Sequence, residues 1–244
     1  MTSKLTRAIV PFDSQVKEDS EPIASLPCNY GIFARKGMGK TTLLLNLLSR
    51  PESPWYKHFN MIFLISPTAK RDKKMKELVE DIGDQYYEEL NSSVLLEIEQ
   101  RIDAFIDDWE KKKKKNKKKG DPAFLIIYDD IIHELKNKKD VKLMNKLATQ
   151  NRHRFITNVY LLQKYTGFLD PIIRANLDMI TYYRTDSMKE LESFADERAE
   201  DKKKLLKLYN YATNEPYSFL HINMYNYPTR YYKRFDLLEY RKKE

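Results

Sequence analysis

Three places in this chain put reactive side chains where backbone geometry could use them. The first is Gly37-Met38-Gly39-Lys40-Thr41-Thr42, a glycine turn ending in an ammonium and two hydroxyls. The second is Asp129-Asp130, two carboxylates delivered at the end of the apolar run Phe124 to Tyr128. The third is Gln163, which ends the apolar run Ile156 to Leu162. Gly37 and Gly39 have no Cβ, so the backbone can curl until successive N–H groups face one anion. A helix starting near Lys40 would add its positive dipole end. Lys40 would then reach the β- and γ-phosphates of a nucleotide, and the Thr41 hydroxyl would hold Mg²⁺. The expected nucleotide contacts are Arg35, Lys36, Gly37, Met38, Gly39, Lys40, Thr41 and Thr42. Asp129 is expected to hold Mg²⁺ with Thr41, and Asp130 to take a proton from the attacking water. Gln163 either orients that water or serves as a hydrogen-bonded loop residue.

These residues need strands and a helix to position them, and the pattern supplies both. Cys28 to Ala34 is a short apolar run entering the glycine turn, and Leu43-Leu44-Leu45 opens a helix over 40–49 that Pro51 and Pro54 stop. The usual motif opens with Gly where this chain has Ala34, which reads as a subfamily trait. Met61 to Ile65 reads as a buried strand closed by Ser66-Pro67. Residues of about 70–118 read as helical and charged, with Ile98, Ile102, Phe105, Ile106 and Trp109 on one apolar face. Gly120-Asp121-Pro122 breaks that helix before the acidic strand. Asp140 would cap a helix carrying Val141, Leu143, Met144, Leu147 and Ala148. Asp170 and Pro171 suit the N-cap and first position of a short helix that carries Arg174 one turn in. A fifth strand covers 179–183, and Ser187 to Glu190 reads as a capping box. Leu191, Phe194, Leu205, Leu206 and Tyr209 continue helical spacing. Tyr217 to Ile222 and Arg230 to Phe235 form a closing hairpin around Asn226-Tyr227-Pro228.

Composition bounds the reading. A chain of 244 residues with 41% hydrophobic content is long enough for one full α/β core. Its single cysteine, Cys28, excludes a disulfide framework, and four dispersed histidines show no metal-ligand spacing. No apolar run approaches a membrane span, and the N-terminus lacks the apolar core of a signal peptide. The net charge of +8 is concentrated: Lys111 to Lys119 holds eight lysines and Asn116. Without them, 36 basic residues face 36 acidic ones. That tract is either a solvated loop or a contact for nucleic-acid phosphates. A pure lysine run without aromatics or arginines favours the loop.

The expected organisation is an irregular arm over 1–27, lying on a neighbouring subunit or along the sheet edge, then one domain over 28–244. That domain is an α/β P-loop NTPase fold of the ASCE type. It has a mainly parallel sheet of about five strands, helices on both faces, a helical lysine-rich insertion at about 70–122 and a C-terminal β-hairpin. With these motifs the chain resembles the DNA-packaging ATPases of the FtsK–HerA superfamily, closest to the type of large DNA viruses, poxviruses and virophages. The matching residues are Gly37 to Thr42, Leu125 to Asp130, Arg152-His153 with the strand to Gln163, and Pro171 to Asp178.

The resemblance implies a hexameric or pentameric ring that hydrolyses ATP with Mg²⁺ and pumps double-stranded DNA into a capsid. Capsid vertex proteins would be its partners, and the virion and host cytoplasm its location. It implies Gln163 as a sensor and an arginine finger from the adjacent subunit, with Arg174 the first candidate and Arg152 and Arg154 the alternatives. Asp130 departs from the Glu of many relatives. About 60 residues follow the fifth strand, too few for a fused nuclease, so a motor without genome-cutting activity is expected. The other readings are a P-loop phosphotransferase such as a nucleotide kinase, and a non-enzymatic nucleotide-gated capsid assembly protein.

Overall fold

A computed structural model describes residues 22–115, 120–131, 137–167, 169–225 and 228–238. Residues 1–21 of the expected arm, the last four residues of the lysine tract and the Asn226-Tyr227 turn lie outside the described residues. Among the described residues nine strands form one sheet: β1 (Asn29–Phe33), β2 (Met61–Ile65), β3 (Tyr86–Tyr87), β4 (Phe124–Asp129), β5 (Ile156–Leu162), β6 (Met179–Tyr183), β7 (Phe219–Asn223), β8 (Arg230–Lys233) and β9 (Asp236–Leu237). Seven helices are described: α1 (Lys40–Ser49), α2 (Lys76–Ile82), α3 (Ser92–Lys115), α4 (Lys138–Thr149), α5 (Pro171–Ala175), α6 (Met188–Arg198) and α7 (Lys202–Ala212). The sheet order is β3-β2-β4-β5-β1-β6-β7-β8-β9. The five expected strands are present and mutually parallel, with short β3 parallel to β2 and the last three strands antiparallel. Every residue of β1, β4, β5 and β6 is buried, as strands covered on both faces require.

Apolar side chains on the two faces form separate cores. One face packs Leu95, Ile98 and Ile102 of α3, Met144 and Leu147 of α4, Phe194 of α6 and Leu205 of α7. The other packs Leu43, Leu44 and Leu47 of α1 with Trp55, Met75 and Ile82. Residues before β1 also lie on this second face. The Pro22 carbonyl accepts from His221 Nε2 at 2.6 Å, and the Ala24 N–H meets Met179 Sδ. Both partners are in interior strands, so this part of the arm covers a sheet face and not the edge.

Four local expectations are corrected. The 70–118 stretch is not one helix: Gly83, at φ 55°, ends α2, and Tyr86-Tyr87 pair with Leu64-Ile65 before α3 begins. The lysine tract is not wholly a loop, because Lys111 to Lys115 continue α3. Within it Lys112 pairs with Asp108, and Lys113 reaches Asp121 at 2.8 Å while lying over the Trp109 ring. That end of α3 lies beside the start of β4, since Trp109 Nε1 donates to the Gly120 carbonyl. The N-cap of α4 is Asn137, which accepts from the Lys139 N–H, leaving Asp140 buried in the first turn. Ser187 does cap α6, but the Glu190 carboxylate turns away to the N–H groups of Tyr165 and Thr166, so the box is half made.

Candidate functional site

The parallel strands end together, and that edge holds the cleft. Asp129 pairs with Leu161 and Phe33 with Leu162, so β5 stands between the glycine-turn strand and the acidic strand. Beyond those pairs, the Ala34 N–H donates to the Leu162 carbonyl and the Asp130 N–H to the Leu161 carbonyl. Ala34 therefore continues the ladder in ordinary extended backbone, which is why a methyl group is tolerated there. Gly37 and Gly39 sit at φ 81° and 102°, a region that L side chains rarely adopt. A Cβ on Gly37 would meet nothing within 4 Å, so its requirement is conformational.

Gly39 caps α1 with no side-chain bond to the helix N–H groups, and no acidic residue lies in the first turn. The first-turn N–H groups and the dipole end stay available to an anion. Lys40 is buried beside them, with Nζ 4.0 Å from Asp130 Oδ1. Gln163 Nε2 donates to the same oxygen at 3.4 Å. The two carboxylates differ. Asp129 is 7% exposed and accepts from Ser66 Oγ at 2.9 Å. Burial, and next the charge of Asp130, push its carboxyl up from 3.8 to about 6. Asp130 opens into the cleft from a left-handed backbone at φ 49°.

The cleft has a volume of about 660 Å³ and gathers Arg35, Lys36, Gly37, Gly39, Lys40, Thr41, Thr42, Asp129, Asp130 and Gln163. Met38 lies in the turn between them. Thr68, Arg71, Asp72 and Lys74, from the segment after β2, close one side. Lys74 Nζ donates to Thr42 Oγ1 at 3.0 Å. Sequence reading missed this wall and Ser66, treating Ser66-Pro67 only as a strand stop. The available signal was position: a loop leaving the carboxyl end of a strand beside β4 must border the same crevice.

Arg174 is not in the cleft. Its guanidinium donates to Glu197 at 2.8 and 3.0 Å and to the Leu169 carbonyl at 2.6 Å, over the Tyr165 ring. Within one chain it fills the salt-bridge role that competes with a finger role. Arg154 is bound to Glu99 and Asp103. Arg152 bonds Asp178 at 3.1 Å.

Among the described residues no cluster of three or more His, Cys, Asp or Glu could hold a metal. Mg²⁺ does not need one, since it binds through one or two carboxylates plus substrate phosphates. Thr41 and buried, under-compensated Asp129 on facing walls fit that pattern. No described helix is long and apolar enough to cross a membrane.

Comparison with known proteins agrees with this architecture. The chain is 28% identical over 156 residues to an uncharacterised protein of Acanthamoeba polyphaga mimivirus. The match covers 64% of this chain and 52% of the relative, so the chain spans about half that relative's length. The genome packaging NTPase B204 of Sulfolobus turreted icosahedral virus 2, in complex with sulfate, superposes with a TM-score of 0.54 at 19% identity. That match covers 89% of this chain and all of B204. The pCW3 conjugation coupling protein TcpA, in a structure with ATPgS, superposes at 0.57 and 13% identity, over 86% of this chain and 61% of TcpA. These likenesses show the shared P-loop ATPase fold. Residues 16–217 match the model of the Poxvirus A32 protein family, and the chain belongs to that family.

Proposed function

We propose that the chain is an ATP-driven motor that moves double-stranded viral DNA into a preformed capsid. One observation carries the reading: an uncapped helix N-terminus with Lys40 and Thr41 faces Asp129, Asp130 and Gln163 across a single cleft. Membership of the Poxvirus A32 family and the fold shared with a genome packaging NTPase support a motor over other P-loop enzymes.

The chain's own groups would divide the work. The turn from Arg35 to Gly39 and the first N–H groups of α1 grip the phosphates, and Lys40 neutralises their outer charge. Thr41 and Asp129 would hold Mg²⁺, which would supply neutralisation of phosphate charge. Ser66 fixes one Asp129 oxygen and so aims the other. Asp130 accepts the proton of the attacking water, and Gln163, bonded to the same carboxylate, orients that water. Thr68, Arg71 and Lys74 bring further donors to the phosphate side.

A ring of like subunits would complete the site. An arginine supplied across an interface in GTPases is worth about 10³–10⁵ in rate. Arg152 has the most exposed side chain of the three arginine candidates, at 60%, whereas Arg174 must first leave Glu197. DNA contacts would be backbone-directed and therefore salt-sensitive. The lysine-bearing end of α3 is one candidate contact; docking at a capsid vertex, in the infected cytoplasm and the virion, belongs to the same reading.

The test is the ATP hydrolysis rate with and without double-stranded DNA, for wild type and Lys40→Ala. DNA-stimulated turnover that Lys40→Ala abolishes is expected. Turnover retained by Lys40→Ala would overturn the site assignment. Phosphorylated acceptor formed without DNA stimulation would favour a phosphotransferase, and packaging that survives Asp130→Asn would favour a non-enzymatic assembly role.

A further inference from the structure

The cleft accounts for phosphates and metal, but no aromatic residue is among those that line it. The Asp129, Asp130 and Gln163 side chains lie on the β4–β5 flank of the glycine turn, which is where the γ-phosphate must point. A triphosphate clamped across Gly39 with that end on the β5 side delivers its sugar and base toward the other flank, formed by β6 and β7. On that flank stands Tyr217, just before β7.

Tyr217 combines three properties. The residue is 65% exposed although it is large and aromatic. Its Cδ1 lies 3.9 Å from where a Cβ on Gly39 would stand, so the ring borders the phosphate turn. Its backbone is left-handed at φ 57°, a conformation unfavourable for a bulky residue unless its surroundings impose it. The surroundings do impose it. Lys233 Nζ holds Glu215 at 2.5 Å and Asn214 at 3.1 Å, and Arg234 also reaches Glu215. The Ser218 N–H donates back to the Glu215 carbonyl, and Ser218 is fully buried. A pinned turn thus presents an open ring face beside the phosphate loop.

We propose that Tyr217 is the stacking platform for the nucleobase of the bound nucleoside triphosphate. The inference rests on the phosphate-site reading above and adds the group that recognises the base. Stacking accepts any base, because each has a π face. Purine triphosphates, with the larger face, should bind more tightly than pyrimidine ones.

The test measures binding of ATP and of inorganic tripolyphosphate, both with Mg²⁺, to the full chain by calorimetry. Tyr217→Asn removes the ring while keeping a residue that tolerates left-handed backbone. It should weaken ATP binding roughly 5- to 150-fold, the range for loss of one base–aromatic stack. Tripolyphosphate binding should be unchanged, and Tyr217→Phe should bind both ligands as wild type does. Wild-type binding of both ligands with no ATP loss in Tyr217→Asn would overturn the stacking role alone. Equal loss of both ligands would assign Tyr217 to shaping the loop instead. Failure of wild type to bind either ligand would overturn the phosphate-site reading and this inference with it.

Discussion

Asp129→Asn should make the protein more stable while removing its activity. The Asp129 carboxyl is buried beside Asp130, and Ser66 and Lys40 only partly offset that environment. Its pKa is 3.8 in a free setting and about 6 in the fold. Between those values the folded chain binds more protons than the unfolded one, so stability falls as pH rises through the window. Above about pH 6 the charged carboxylate carries the full penalty. At 1.36 kcal/mol per pH unit, this penalty is about 3 kcal/mol. Asn keeps the shape, carries no charge and can still bond Ser66. In metal-free buffer at pH 7.5, urea denaturation should find Asp129→Asn about 3 kcal/mol more stable, or roughly 6–12 °C higher in melting temperature for a chain of this size. The advantage should shrink below about pH 6 and vanish below about pH 4. ATP hydrolysis should be lost at every pH. A variant less stable than wild type at pH 7.5, or a difference that ignores pH, would refute the claim that this charge is held at the expense of the fold.

Two further outcomes are expected. His221 is buried between Thr181 and the Pro22 carbonyl, and burial lowers its pKa from 6.5 to about 4. The unfolded chain therefore binds the extra proton first, and stability should drop by on the order of 3 kcal/mol as pH falls from about 6.5 to 4; His221→Gln should flatten that part of the urea profile, and an unchanged slope would remove His221 as its source. Arg174→Ala should lower stability by on the order of 2 kcal/mol, because the Leu169 carbonyl and Glu197 lose charged donors. Mixing it with Lys40→Ala subunits should restore no turnover; restored turnover would return Arg174 to a role across the interface.

Much of this was readable in the sequence, for physical reasons that also mark where reading stops. The bounds of β2 follow from an unbroken apolar run closed by Ser66, those of β5 and β6 from mainly apolar runs with a polar residue after them, and α1 from its glycine turn and the prolines beyond it. Asp129 and Asp130 were legible because they end such a run. β3 was not, since two tyrosines carry no period, and only pairing with β2 makes them a strand. Arg174 presented an unpaired charge in sequence, because its partner Glu197 lies in another helix. Tyr217 read as the first residue of a strand; its backbone turn depends on Glu215 being pinned by Lys233 and Arg234 from β8 and its following turn.

The left-handed backbone at Asp130 bears on the acid found there. A short Asp or Asn tolerates that conformation, whereas a longer side chain meets a penalty of roughly 1–3 kcal/mol. Exchanging Asp130 for Glu in this chain alone would pit reach against backbone ease and lose some of each. Side-chain length and loop shape at this position form one inherited unit: a change in either has to wait for the other.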